Sequence, residues 1–430
     1  MINSTSRQRS MMKSFSALTL LTVLHGCSGQ SSVDGPATAT GGDAAAGGGS
    51  SATAGTPSVV GDAAGSFGGP TAGSPTLGGG GGTTNAAGVA GVGGVAGVAG
   101  DSGSVGMKDC MIPPVQAPLF GWAAVDGMNQ NGTTGGGDAT PQLVTTLEAF
   151  KAAVSGTTPA VVYLNAKLAP GAISIGSNKT IVGVCGAEIR GHLGVSKAVN
   201  VIVRNLTIVG YGVGDCTKDP AFDAAVGCSS GADAVSITSQ SHHIWFDHCD
   251  IADGTDGNLD INAGSDFITI SWTKFHYSPR TDDVGNDSTG ANGHRFSNLI
   301  GSSDTVAEDV GHLNVTWHHD WWADNVNQRM PRTRRGKIHV VNNLYTSVGD
   351  SYCTNSGFEA HLLVENNVYN GVKNPLSPDA NGDMLARANV FSKTSGTTVA
   401  TGTGFTPPYT YAPEPTDALT ASIMSGAGPH

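Results

Sequence analysis

What most constrains this chain is a short β-rich phrase that returns at a nearly constant interval. Val201-Ile202-Val203, Ile244-Trp245-Phe246, Ile268-Thr269-Ile270, Val315-Thr316-Trp317, Ile338-His339-Val340-Val341 and Leu362-Leu363-Val364 are each one strand long. Most lead into a similar turn: Arg204-Asn205-Leu206, Asp247-His248-Cys249, Asn342-Asn343-Leu344-Tyr345 or Asn366-Asn367-Val368-Tyr369, and the last is Ala388-Asn389-Val390-Phe391. The interval is about 22 to 25 residues in three uninterrupted steps, and roughly twice that across two Gly/Asp/Ser-rich insertions. One coil of a parallel β-helix, three short strands with their turns, uses about that much chain. Asn suits the repeated turn because it tolerates left-handed backbone and its amide can bond to the Asn of the next coil. A β-sandwich would instead show hairpin signals every ~8–12 residues, and few are present. The sequence therefore predicts an all-β fold, a single-stranded right-handed parallel β-helix. A short N-terminal helix over Leu143 to Val154, after Thr140-Pro141, is expected to cap the open end of the stack.

The first quarter of the chain cannot join that fold. Residues 28–107 are Gly, Ala, Ser, Thr and Val with almost no charge or aromatic side chain, and 26 of the 63 glycines lie there. Such a segment buries too little apolar area to offset its chain entropy, so it reads as a flexible linker. Residues 1–27 read as a signal peptide, with Arg7, Arg9 and Lys13 ahead of an apolar stretch from Leu18 to Leu24. That stretch is too short to span a bilayer. Leu24-His25-Gly26-Cys27 resembles a bacterial lipoprotein box, which implies lipid on Cys27; ordinary cleavage with Cys27 unmodified is the alternative. Either route takes the protein out of the cytoplasm, secreted or at the bacterial cell surface and possibly lipid-anchored at the outer membrane. The remaining segment, 108–430, is expected to be one β-helix domain acting as a monomer. Its cysteines are Cys110, Cys185, Cys216, Cys228, Cys249 and Cys353. An even number in an exported protein favours disulfides, and Cys216 with Cys228 is the best local pair.

A formal net charge of −12 argues against nucleic acid as a partner. Two clusters could support chemistry. Asp256-Gly257-Asn258-Leu259-Asp260, with Asp233 upstream, places carboxylates four residues apart, on one face if the backbone is extended. Ca²⁺ takes hard oxygen ligands in loose geometry, but aspartates beside Gly and Asn are also ordinary turn residues. The second cluster, Arg329-Met330-Pro331-Arg332-Thr333-Arg334-Arg335-Gly336-Lys337, carries five cations in nine residues. It reads either as a solvated face or as a reader of polymer carboxylates, for which Arg offers a planar fork. Trp317, Trp321 and Trp322 could stack on sugars or fill the core. His248, His294, His318, His319 and His339 lack zinc spacing, and most read as structural.

Together these phrases resemble the pectate lyase superfamily of polysaccharide lyases, over roughly Gly121 to Phe391. Thr133-Thr134-Gly135-Gly136 and Asn200 to Leu206 are similar to its opening motifs, and Trp245-Phe246-Asp247-His248-Cys249 to its Trp-Ile-Asp-His-Cys signature. Asp256 to Asp260, Ser265, Ile268-Thr269-Ile270-Ser271-Trp272 and Arg329-Met330-Pro331-Arg332 through Gly336, His339 and Asn342-Asn343 continue it in order. The resemblance implies Ca²⁺ on Asp233, Asp256 and Asp260, proton abstraction by Arg329, and substrate carboxylates on Arg334 with Arg332 beside it. Two positions depart from the family pattern. Gly231 stands where some members carry another calcium-site acid. The family's substrate-binding Lys falls on Arg280 when counted from Asp260, but on Phe296, beside Arg295, when anchored on Leu299-Ile300-Gly301.

The implied activity is calcium-dependent cleavage of polygalacturonate by β-elimination. A free guanidinium has a pKa above ~12 and is a poor base, so activity is expected to rise into the alkaline range. Alternatives are a pectin lyase, which acts on esterified polymer without calcium, and a non-catalytic surface protein that binds acidic glycans. A hydrolase of the polygalacturonase kind would need paired acid and base aspartates, and no such motif is evident.

Overall fold

The computed structural model describes residues 110–430 apart from 214, 280–293 and 348–349. The signal segment, Cys27, the linker and Arg280 lie outside the described residues. What is described is the expected parallel β-helix, of about ten coils.

Ten strands, from Gln142–Val144 to Asp383–Arg387, form one sheet in which every neighbouring pair is parallel. The recurrent runs lie in register within it: Val201, Ile244, Ile268, Val315, Ile338 and Leu362 follow one another coil by coil. All six side chains are buried in the core, as are Val203, Phe246, Ile270, Trp317, Val340 and Val364 two residues on. That alternation is the two-residue period of a strand. The outer face is covered by the N-terminal segment, where Trp122 N donates to Thr316 Oγ1 and Ala123 N to Thr269 Oγ1, both at 3.0 Å. The other sheet splits at the strand Glu188–Ser196, whose first half pairs with Thr207–Val209 and second half with Val235–Thr238.

The repeated turn works differently from the sequence expectation. One residue in each coil takes the left-handed backbone: Asn205, His248, Trp272, His319, Asn342, Asn366 and Ala388 all have φ between 48° and 59°. The amide ladder belongs to the residue that follows. Asn343 Nδ2 donates to Asn367 Oδ1 at 3.0 Å, and Asn367 Nδ2 to Asn389 Oδ1 at 2.9 Å. Separating the two roles lets His, Trp and Ala occupy the left-handed position. Inside the stack, Phe275, Trp322, Tyr345, Tyr369 and Phe391 form an aromatic column, with centroids 4.2–5.7 Å apart between successive rings. Trp317 and Trp322 are thus core, and Trp321 packs against the C-terminal helix.

The N-terminal helix, α1, is shorter than expected, Leu147–Val154. Gln142–Val144 instead pairs with the strand Ala160–Leu164, because the sheet edge offers its backbone partners that an isolated turn could not. Thr146 Oγ1 then caps α1 through Ala149 N, and Phe150 and Val154 close that end of the core. A second helix, α2 (Thr416–Gly426), was not foreseen. It buries Leu419 and Ile423 against Leu344 and Val368 on the flank of the coils.

Cys216 pairs with Cys228 as expected, and Cys110 with Cys185. Cys249 and Cys353 form no disulfide: each is enclosed in the apolar interior, where burial pushes its thiol pKa up.

Candidate active site

One arm of the split sheet stacks Val235–Thr238, Leu259–Ile261, Leu299–Ile300, Arg332–Thr333 and Thr354–Ser356. Leu259 and Ile261 point into the core, so Asp260 between them points outward. The register sets Ser236 beside Asp260, and Arg332 between Leu299 and Asn355. Leu299 N donates to Asp260 Oδ1 at 3.0 Å, tying the acid into this outward row.

Strand periodicity does not relate the acids: Asp233 and Asp260 approach the same glycine, and Asp256 acts on both through its charge. Asp256 lies in a bend ahead of the strand Leu259–Ile261, not within it. The chain turns at Gly257, where a β-carbon would fall 3.0 Å from both Asp233 Oδ1 and Asp260 Oδ1. Asp233 Oδ2 accepts from Ser236 Oγ at 2.9 Å, while Asp233 Oδ1 is buried without a hydrogen-bond partner. Burial, then the charges of Asp260 and Asp256, push the Asp233 carboxyl well above its usual range. Burial and then Asp256 push Asp260 up to about 7. The Arg329 guanidinium pulls both the other way, which places its charge within reach of the acids.

Arg329 itself has left-handed backbone, φ 63°, and its carbonyl accepts from Asn298 N at 2.8 Å. Its guanidinium lies over the Phe296 ring, 4.4 Å from the centroid, with Nε buried and unpaired. Of the other cations, Arg334 donates from Nε to Asp304 Oδ1 at 2.9 Å and from an Nη to Gly301 O at 3.0 Å. Burial, then Arg332, lower its pKa. Arg335 pairs with Glu359 at 2.7 Å. No carboxylate among the described residues pairs with Arg332, which leaves its guanidinium open to an anionic ligand.

Phe296 holds the position where one alignment sets the family's Lys, and it serves as the platform under Arg329. Arg295 is half-buried next to it, and its carbonyl accepts from Asn327 N at 2.8 Å. Gly231 has a steric reason: a β-carbon there would fall 2.3 Å from Thr255 Cγ2 and 2.6 Å from Asp219 Oδ2. An acid at that position would not fit. His294, whose sequence context is only the end of an insertion, stands within the site with Nε2 at 2.7 Å from Asp256 Oδ1. No periodicity marks it, so in the sequence it reads only as one of several structural histidines.

Among the described residues, no group of three or more His, Cys, Asp or Glu side chains is placed to hold a metal ion by itself. An unpaired buried carboxylate oxygen, a second acid beside it and a glycine bend that keeps the space open form an open acidic seat. Those residues fit a hard divalent cation that completes its shell with ligand or water oxygens.

The motifs on the flank of this parallel β-helix imply a polysaccharide lyase, and the comparisons with known proteins show that class. A family model described as pectate lyase matches residues 107–429. Pectate lyase A of Aspergillus niger is 34% identical over 326 residues, covering 73% of this chain and 88% of that protein. Pectate lyase E of Dickeya chrysanthemi is 30% identical over 380 residues, with 73% and 87% covered. Among solved structures, a pectate lyase from Bacillus sp. N165 in complex with trigalacturonate superposes with a TM-score of 0.57 at 22% identity, over 73% of this chain and 99% of that one. The chain belongs to the pectate lyase family.

Proposed function

We propose that this pectate lyase cleaves polygalacturonate by calcium-assisted β-elimination, with Asp233, Asp256 and Asp260 as the cation seat and Arg329 as the base. The observation that carries the reading is the unpaired, buried Asp233 Oδ1 beside Asp260, within the field of Arg329. Ca²⁺ held there would supply Lewis-acid polarisation of a uronate carboxylate, acidifying the hydrogen on C5. The Arg329 guanidine takes that proton, the C4–C5 double bond forms as the C4–O bond breaks, and the leaving oxygen takes a proton from water. Arg332 and Arg334 hold polymer carboxylates; Arg280 and Arg295 are further candidates for that task. Export, lipid on Cys27 and a monomeric state complete the proposal.

Ultraviolet absorbance of the unsaturated product, followed with and without chelator, tests it. Absorbance that disappears with chelator and returns with Ca²⁺ is expected. Undiminished absorbance after complete removal of metal overturns the calcium role, and reducing ends without absorbance overturn elimination.

Two further results follow from the seat. Asp260, pushed up to about 7, holds a proton in the metal-free protein below that pH, and a cation must displace it. Ca²⁺ affinity measured by calorimetry should therefore rise with pH through about 7, with proton release on binding. The same raised value stabilises the metal-free fold fully below the ordinary aspartate pKa, a contribution lost as pH rises through about 7. Affinity constant across that window would remove Asp260 from the seat. The substitution Gly257→Ala forces Asp233 Oδ1 and Asp260 Oδ1 away from the new β-carbon, so Ca²⁺ binding should weaken about tenfold with little change in melting temperature. Unaltered affinity in that variant would mean the cation sits elsewhere.

A further inference from the structure

We propose that His294 is a positioning residue that joins the two halves of the site, holding Asp256 by a hydrogen bond and Arg329 through Phe296. The inference deepens the calcium-assisted reading and rests on it.

His294 is 2% exposed, although the chain reaches it from a Gly/Asp/Ser-rich insertion. An imidazole buried that deeply needs partners for its ring nitrogens. Nε2 is 2.7 Å from Asp256 Oδ1, and an ionised carboxylate only accepts, so Nε2 carries the hydrogen and donates it. That is the one side-chain hydrogen bond Asp256 makes among the described residues, and Asp256 is otherwise a third exposed in a bend. Without it the carboxylate has several rotamers to choose from, and ordering it on a cation would cost entropy.

The same imidazole packs on Phe296 in a tilted arrangement, with ring centroids 4.1 Å apart and planes at 44°. The opposite claim on Phe296 is the Arg329 guanidinium, 4.4 Å from its centroid. Phe296 cannot easily slide, because Tyr277 Oη donates to its carbonyl at 2.7 Å and its backbone bridges to Gln328, the residue before Arg329. One buried wedge therefore touches a cation-seat acid on one edge and supports the base on the other. In close-packed surroundings a change of shape at His294 is felt at both.

Two variants separate the roles. H294F keeps a ring against Phe296 and removes the donor; H294Q keeps an N–H at similar reach and removes the ring. Calorimetric titration with Ca²⁺ alone should show H294F weakened roughly 10–100-fold and H294Q within about threefold of wild type. In turnover at saturating Ca²⁺, H294Q should lose kcat with KM nearly unchanged, because the support under Arg329 has gone. Thermal unfolding in chelator checks that each variant is folded. Wild-type Ca²⁺ affinity in H294F, or equal weakening in both variants, overturns the inference. Failure of the wild-type protein to bind Ca²⁺ overturns instead the calcium reading beneath it.

Discussion

Replacing Arg329 with lysine lowers kcat by roughly 10²–10⁴-fold while KM for polygalacturonate stays within about threefold. In barrier height the loss is about 3–5 kcal/mol. The substitution keeps the positive charge, so the field over Asp233 and Asp260 changes little. It removes the planar guanidine that sits over Phe296, 4.4 Å from the ring centroid. A lysine ammonium is a compact, strongly hydrated point charge on a flexible stem, and it does not reproduce that seating. Substrate carboxylates would still meet Arg332, which has no carboxylate partner among the described residues, and Arg334. The split between kcat and KM is therefore the informative result. Turnover near the wild-type rate in a folded Arg329→Lys protein would assign the base to another residue, and a matched rise in KM would make Arg329 a binding group.

The repeat was legible because burial and register enforce it. Val201, Ile244, Ile268, Val315, Ile338 and Leu362 each sit one coil above the next, and a slip by one residue would turn every one of them to the outside. The seat was legible only as a set of residue types. Asp256 and Asp260 were expected to share a face of one strand, whereas Asp256 lies in a bend outside that strand and Gly257 leaves the space beside Asp233 and Asp260; spacing of four is compatible with either. His294 read only as one of several structural histidines and Phe296 only as one placement of the family's Lys, since their roles come from contacts across coils with Asp256 and Arg329, 38 and 33 residues away in sequence. The helix α2 was missed because only Leu419 and Ile423 mark its buried face, a pattern two residues long. The start of α1 was misjudged because Gln142–Val144 is decided by the free sheet edge beside it. Local pattern fixes what repeats along the stack; what happens between coils is set by side chains that sequence keeps far apart.

The same distinction predicts where the scaffold and the chemistry are coupled. Substituting Trp322 with alanine should destabilise the domain by about 3–5 kcal/mol, read as a lowered denaturant midpoint. The indole is fully buried in the aromatic column, 5.7 Å from Phe275 below and 4.7 Å from Tyr345 above, so truncation opens a cavity that neither neighbour can close without leaving its own coil. Trp322 also reaches the site. Its Nε1 donates to Asn298 Oδ1 at 2.7 Å, and Asn298 N in turn donates to the Arg329 carbonyl at 2.8 Å. The milder Trp322→Phe keeps a ring in the column but strands a buried amide oxygen, a loss of about 1–3 kcal/mol. If Asn298 transmits the position of the column to Arg329, the Phe variant should lose kcat out of proportion to its loss of stability, at temperatures where it is fully folded. A Phe variant with unaltered kcat would show that the column supports the fold alone, and that the left-handed backbone at Arg329 is held by its own loop.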